Sequence, residues 1–207
     1  MQENWIDTLV QRAEPDLTYY EKKENPPALL ISKAWNGESA GFYRARTCVF
    51  EAKGKFRAET LVIYPCVGQL LPVFGCEYIE LPSKSLAVID FHPIGGNLGP
   101  VMESLSSEPD RKVEKSAFYD LNGFFSPKMW HERGGKEIYE PFKEAAERYI
   151  DRYYGLLGGN LPSGGDYRTL HAPYNEYMGA NDPAHGILKA YFSKEFADEY
   201  IREFLFG

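Results

Sequence analysis

Apolar residues fall in short alternating runs through the first half of this chain and at helical spacing through the second. Between residues 60 and 93, TLVIYPCVGQLLPVFGCEYIELPSKSLAVIDFHP holds three such runs, LVIY, CEYIEL and LAVIDF, rich in β-branched and aromatic residues. PCVGQLLP and PSKS separate them, so the spacing predicts an antiparallel meander. Upstream, ALLISKAWN (28–36) reads as a strand, and FYRARTCVFEAKGKF (42–56) as a strand running into a KGK turn. A short helix is predicted over 3–14, with Trp5, Leu9 and Val10 on one face.

After IGGNLGP (94–100) the period changes to that of helices, and residues 101–121 read as a helix broken near Pro109. Residues 137–157 carry the clearest stripe, Ile138, Phe142, Ala146, Tyr149, Tyr153 and Leu157, stopped by glycines at 158 and 159. That stripe reads as core. LPSGGDYRTLHAP (161–173) reads as a polar excursion, and its glycines match neither GxGxxG nor a P-loop. Two helices are predicted in the tail. One has Pro183 at its first position; the other is capped by Ser193 and turns Phe196, Tyr200 and Phe204 inward. Strands followed by helices predict an α+β fold with helices covering an antiparallel sheet. A single domain over 1–207 is expected, since no repeat or low-complexity segment divides the chain.

Composition narrows the function classes. With 43% hydrophobic residues the chain is globular, and a net charge of −7 argues against general nucleic-acid binding. Arg44, Arg46, Lys53, Lys55 and Arg57 nevertheless gather around the single acid Glu51. They form either a solvated hairpin or a docking patch for an anionic partner. The 15 Tyr, 13 Phe and 3 Trp suit a packed core and would equally wall a flat conjugated ligand. Cys48, Cys66 and Cys76 form no CxxC, and His92, His131, His171 and His185 share no helical spacing, so neither a disulfide framework nor a metal site is implied. The N-terminus lacks a signal pattern, and no apolar run approaches the ~20 residues that span a bilayer. A soluble, cytoplasmic monomer is the expectation.

Two carboxylates stand out. Asp90 lies within the apolar run LAVIDF, where an unpaired charge is expensive and a raised pKa would make a proton donor. Strand alternation sets Leu86, Val88 and Asp90 on one side, so a solvated or structural role remains open. Asp182, directly before Pro183, reads as a helix cap.

PVFGCEYIELPSKSLAVIDFHP (72–93), FFSPKMW (124–130) and NDPAHGILKAYFSKEFADEYIREFLF (181–206), in that order, resemble the ferredoxin-dependent bilin reductases. The resemblance implies a three-layer α/β/α sandwich with an open-chain tetrapyrrole between the sheet and the C-terminal helices. It implies no bound flavin, metal or nicotinamide, single electrons from reduced ferredoxin, and protons from the protein. Asp90 matches the family's central sheet aspartate and Asp182 its C-terminal aspartate, so both are expected to be proton donors. Thr60, Val62, Phe91 and His92 are expected to contact the bilin. Arg44 and Arg46 would hold its propionates or meet an acidic ferredoxin. Thr60 departs from the His of the phycocyanobilin-forming members and the Asn of phycoerythrobilin-forming ones, and Val49 stands where the former have an acid. LPVFG, IELPSKSLAVID and FFSP look most similar to the member that reduces 15,16-dihydrobiliverdin to phycoerythrobilin. A four-electron route from biliverdin IXα reaches the same product. A carrier without turnover and a reductase with a different product, such as 15,16-dihydrobiliverdin or phytochromobilin, are the alternatives. Glu77, where many relatives have Asp, reads as structural.

Overall fold

Every apolar run of the first half becomes a strand of one seven-stranded antiparallel sheet, ordered β1 to β7 as in the sequence. The computed structural model describes residues 4–66, 71–94, 98–108, 123–157 and 167–207. The strands are β1 (Asp16–Asn25), β2 (Ala28–Gly37), β3 (Phe42–Ala52), β4 (Phe56–Pro65), β5 (Val73–Glu80), β6 (Ser85–His92) and β7 (Trp130–Gly134). The turn at 53–55 and the hairpin at 81–84 fall where the KGK and PSKS signals put them.

Helices cover both faces, which gives the three layers. On one face lie α1 (Trp5–Gln11), α2 (Gly99–Ser104) and α3 (Tyr139–Leu157), whose Phe142, Ala146, Tyr149 and Tyr153 pack with Trp35, Ile63, Phe74 and Phe91. On the other lie α4 (Tyr167–Asn181), α5 (Ala184–Tyr191) and α6 (Lys194–Glu199), the last continuing as a π-helical turn over Tyr200–Leu205. Tyr174, Met178, Leu188 and Ile201 from this layer pack with Leu30, Phe50, Val62 and Tyr64. Ser193 caps α6 as its sequence predicts, accepting the Phe196 N–H at 3.1 Å.

Three elements differ from the sequence reading. β1 was not foreseen, because DLTYYEKKEN is an edge strand exposed over most of its length and lacks the alternation that marks a half-buried strand. β7 is only five residues long and owes its existence to pairing with β6. Residues 167–173 are helical rather than an excursion, with Pro173 inside α4, where burial of the following Tyr174 offsets one missing hydrogen bond. The predicted helix over 101–121 is seen from Gly99 to Ser104; Pro109 and the residues to 121 lie outside the described ones.

α1 is pinned to the sheet by charge. Lys33 on β2 meets Asp7 on α1 at 2.5 Å with both side chains buried, and the Thr47 hydroxyl donates to the second Asp7 oxygen at 2.7 Å. Removing one member leaves the other charged and dry. Asp7→Ala is therefore expected to destabilise the fold by about 3–5 kcal/mol in urea unfolding, and Asp7→Leu with Lys33→Met by far less. Equal losses in the two variants would show that the pair is not what holds α1.

Candidate active site

A cleft of about 460 Å³ opens between the C-terminal helical layer and the centre of the sheet. The period of two along each strand decides which side chains enter it. Cross-strand pairing aligns Thr60, Glu77 and Val88 in one row and Val62, Gly75 and Asp90 in the next. Thr60, Val62, Glu77, Val88 and His92 line the cleft from the sheet; Tyr174, Met178, Asp182 and Phe206 line it from the helices, with Phe125 at one side. Gly75 is required here, since a Cβ on it would lie 2.7 Å from His92 Nε2.

Two carboxyl groups face each other across this cleft. The Thr60 hydroxyl donates to Glu77 Oε1 at 3.1 Å. Burial, and then the charge of Asp182, push Glu77 up to about 8, while the Thr60 bond opposes the shift. Burial pushes Asp182 up to about 6, opposed by the Ala184 N–H and by His185. Asp182 Oδ1 accepts that N–H at 2.7 Å from one residue before Pro183, which takes the N-cap position of α5, and Asp182 also stands on the cleft wall. The pair titrates as a unit and holds a proton near neutrality.

Asp90 lies on the face of the sheet that carries the cleft, in one cross-strand row with Val62 and Gly75. It is 1% exposed and is not among the residues lining the cleft. One carboxylate oxygen accepts the Ser126 N–H at 2.9 Å and the other the Ser126 hydroxyl at 2.5 Å. His92 Nδ1 lies 3.7 Å away. Burial raises the Asp90 pKa, whereas His92 and Ser126 hold it down. Its carboxylate fastens the 123–128 segment and steadies His92. The His92 Nδ1–H donates to the Phe124 carbonyl at 2.9 Å, which leaves the Nε2 lone pair directed over Gly75. Burial lowers the His92 pKa, so the ring is neutral at pH 7.

Phe91 is a correction. Its odd position points to the other face, where it stacks on Tyr149 with centroids 5.7 Å apart, so it belongs to the core under α3. Glu77 is the opposite case: taken as structural from sequence, it is a cleft residue. The hairpin register contained the signal, because a turn centred on PSKS sets Gly75 opposite Asp90 and Glu77 on the same face.

A second, wider cleft of about 1360 Å³ adjoins the first through Phe206 and carries Arg44, Arg46 and Arg202 with Glu176. The Arg44 guanidinium lies 3.8 Å over the Tyr64 ring, and its buried Nε and Nη2 find no hydrogen-bond partner among the described residues. Arg46 Nε donates to the Phe204 carbonyl at 2.9 Å, and burial beside Arg44 lowers its pKa to about 10. The five-cation patch read from sequence is split. Lys53 and Lys55 sit at the β3–β4 tip, about 30 Å along the strand from Arg44, and Arg57 is paired with Glu59. Among the described residues no three His, Cys, Asp or Glu side chains converge as metal ligands.

Comparison with known proteins agrees with this geometry. Residues 6–207 match the family described as ferredoxin-dependent bilin reductase. A 15,16-dihydrobiliverdin:ferredoxin oxidoreductase from Prochlorococcus marinus is 28% identical over 200 residues, covering 85% of this chain and 80% of its own. One of the same name from Nostoc punctiforme is 24% identical over 208 residues, covering 90% and 81%. The crystal structure of tomato phytochromobilin synthase in complex with biliverdin superposes with a TM-score of 0.74 at 16% identity, over 97% of this chain and 82% of that one. A match along almost the whole chain, on a sheet whose covered face carries a carboxyl pair, places this protein in the ferredoxin-dependent bilin reductases, oxidoreductases that act on bilins.

Proposed function

We propose that this protein carries out a two-electron reduction of an open-chain tetrapyrrole in which 15,16-dihydrobiliverdin is one member of the couple. The single observation that carries this reading is the Glu77–Asp182 pair, held protonated near neutrality in a cleft walled by Tyr174, Phe125 and Phe206. Saturating one carbon–carbon double bond takes two electrons, from two reduced ferredoxins, and two protons. Glu77, pushed up to about 8, holds the pair's proton at pH 7 and supplies the first beside the π-system, and the pair takes up a second from solvent before the second transfer. Arg44 and Arg46 suit the propionate carboxylates, since Arg44 offers two buried donors with no partner among the described residues. His92 Nε2 is an acceptor for a pyrrole N–H. Asp90 acts through Ser126 and His92 as a positioning residue rather than a direct donor.

The relatives' name couples 15,16-dihydrobiliverdin with ferredoxin. Carried to this chain, that name admits a first reading, in which biliverdin IXα is reduced and 15,16-dihydrobiliverdin is the product. The similarity of LPVFG, IELPSKSLAVID and FFSP to the phycoerythrobilin-forming member favours a second reading, in which 15,16-dihydrobiliverdin is consumed to give phycoerythrobilin. Anaerobic turnover with each bilin, reduced ferredoxin and product chromatography separates them. Accumulating 15,16-dihydrobiliverdin from biliverdin supports the first, phycoerythrobilin from 15,16-dihydrobiliverdin with biliverdin left unreduced supports the second, and phycoerythrobilin from biliverdin would overturn the two-electron reading.

Glu77→Gln is expected to lower reduction by about 10²–10⁴-fold with bilin affinity nearly unchanged. Asp90→Asn is expected to lower the melting temperature and slow turnover less, without moving the pH profile. Wild-type turnover in Glu77→Gln, or a larger loss in Asp90→Asn, would return the donor role to Asp90.

The pKa directions also set a pH dependence. Both carboxyls bind their protons more tightly in the fold than in the unfolded chain, where the ordinary value for Glu77 is 4.5. The contribution of these two groups to stability is then fully present below about 4.5 and is lost as pH rises through about 8. Glu77→Gln is expected to flatten that decline in denaturant titrations at several pH values, and an unchanged slope would show that Glu77 is not the group responsible.

A further inference from the structure

The cleft carboxyls must be recharged after each reduction, and a line of protic side chains runs to them from the exposed edge of the sheet. Cross-strand pairing aligns Glu21 with Ser32, Ser32 with Cys48, Cys48 with Thr60, and Thr60 with Glu77. Directly paired residues point to the same face, so these five side chains form one transverse row over β1 to β5, about 19 Å long. The row on one flank is apolar over Leu30, Phe50, Ala58 and Ile79, and the row on the other runs Ala34, Arg46, Val62 and Gly75, with Arg46 its charged member.

Tyr200, from the π-helical turn, closes the gaps over the middle of the row. Its hydroxyl lies 2.7 Å from Ser32 Oγ and acts on the Cys48 thiol, opposing the rise that burial gives the thiol's pKa. A phenol carries one proton, so it donates to one neighbour while accepting from the other. At the outer end Glu21 is half-exposed, with its carboxylate held by the Tyr19 hydroxyl at 3.0 Å. At the inner end the Thr60 hydroxyl already donates to Glu77 at 3.1 Å. Ser32 is 1% exposed and Tyr200 5%, so this string is shielded from bulk water between its ends.

We propose that the row Glu21, Ser32, Tyr200, Cys48 and Thr60 returns protons from solvent to Glu77 between electron transfers. This rests on the assignment of Glu77 as a proton donor. Each hydroxyl or thiol takes a proton on its outer side as it releases one on its inner side. The net result is one proton moved from water to the Glu77 carboxylate, with no electron transferred and every side chain restored. Tyr200, which does not line the cleft, is thus a positioning residue that acts through Glu77.

The test is single-turnover reduction of biliverdin IXα and of 15,16-dihydrobiliverdin by the full chain with reduced ferredoxin, in H₂O and in D₂O. Tyr200→Phe removes one oxygen and keeps the ring. Its expected effect is a fall of at least about tenfold in the protonation step, with the one-electron-reduced bilin persisting and the solvent isotope effect rising. Bilin affinity should stay within about twofold, the result a merely structural role would not combine with the isotope effect. Ser32→Ala, which breaks the same string from the other side, is expected to give the same signature and serves if Tyr200→Phe folds poorly. Wild-type rates and isotope effects in these variants, with reduction still lost in Glu77→Gln, would overturn the row and leave the proposed function standing. A wild-type protein that reduces neither bilin would remove that function and the row with it.

Discussion

The two-sided burial of one antiparallel sheet is the constraint on which the rest of this protein depends. A strand whose faces are both covered cannot send polar groups to water, so each one needs a partner or a use. On the α3 face the few exceptions are closed off, as in the Lys33–Asp7–Thr47 group that seats α1. On the α4–α6 face Asp90 and Ser32 are tied to Ser126 and Tyr200, while Thr60, Glu77 and His92 face a cleft. The alternation of side chains along β4, β5 and β6 therefore divides the sheet into a packing side and a chemical side.

Within the chemical side, carboxyl groups of similar sequence context receive different work from their surroundings. Asp90 has both oxygens committed to Ser126, which ties the 123–128 segment to the sheet and steadies His92. Glu77 has one hydroxyl partner and faces Asp182, so burial and like charge act on it with little to oppose them. Proton donation suits the second environment and structural fastening the first. The arginines show the same sorting: Arg57 is neutralised by Glu59, whereas Arg44 stacks on Tyr64 beside an open cleft.

Strands that alternate clearly were legible, as were the α3 stripe, the PSKS hairpin and the Ser193 cap, because each depends on residues close together in the chain. β1 was not, since an exposed edge strand carries no apolar period and exists through its pairing with β2. The site was partly legible. Thr60, Val62, His92 and Asp182 do meet at the cleft, but Phe91 points to the core and Glu77 joins the site instead.

By itself the sequence determined the α+β class, the meander that becomes β4 to β6 and, through motifs along most of its length, the family. Those follow from local periodicity and from residues whose spacing survives without knowledge of the fold. Only the tertiary structure decided which carboxylates share a cleft, because Glu77 and Asp182 lie more than 100 residues apart and approach only when α4 packs across β5. It also decided that Asp90 is tied to Ser126, and that Glu21, Ser32, Cys48 and Thr60 stand in one row. Register across a sheet is set by the pairing of strands in space, and the proton chemistry of a buried acid by whatever that pairing puts beside it.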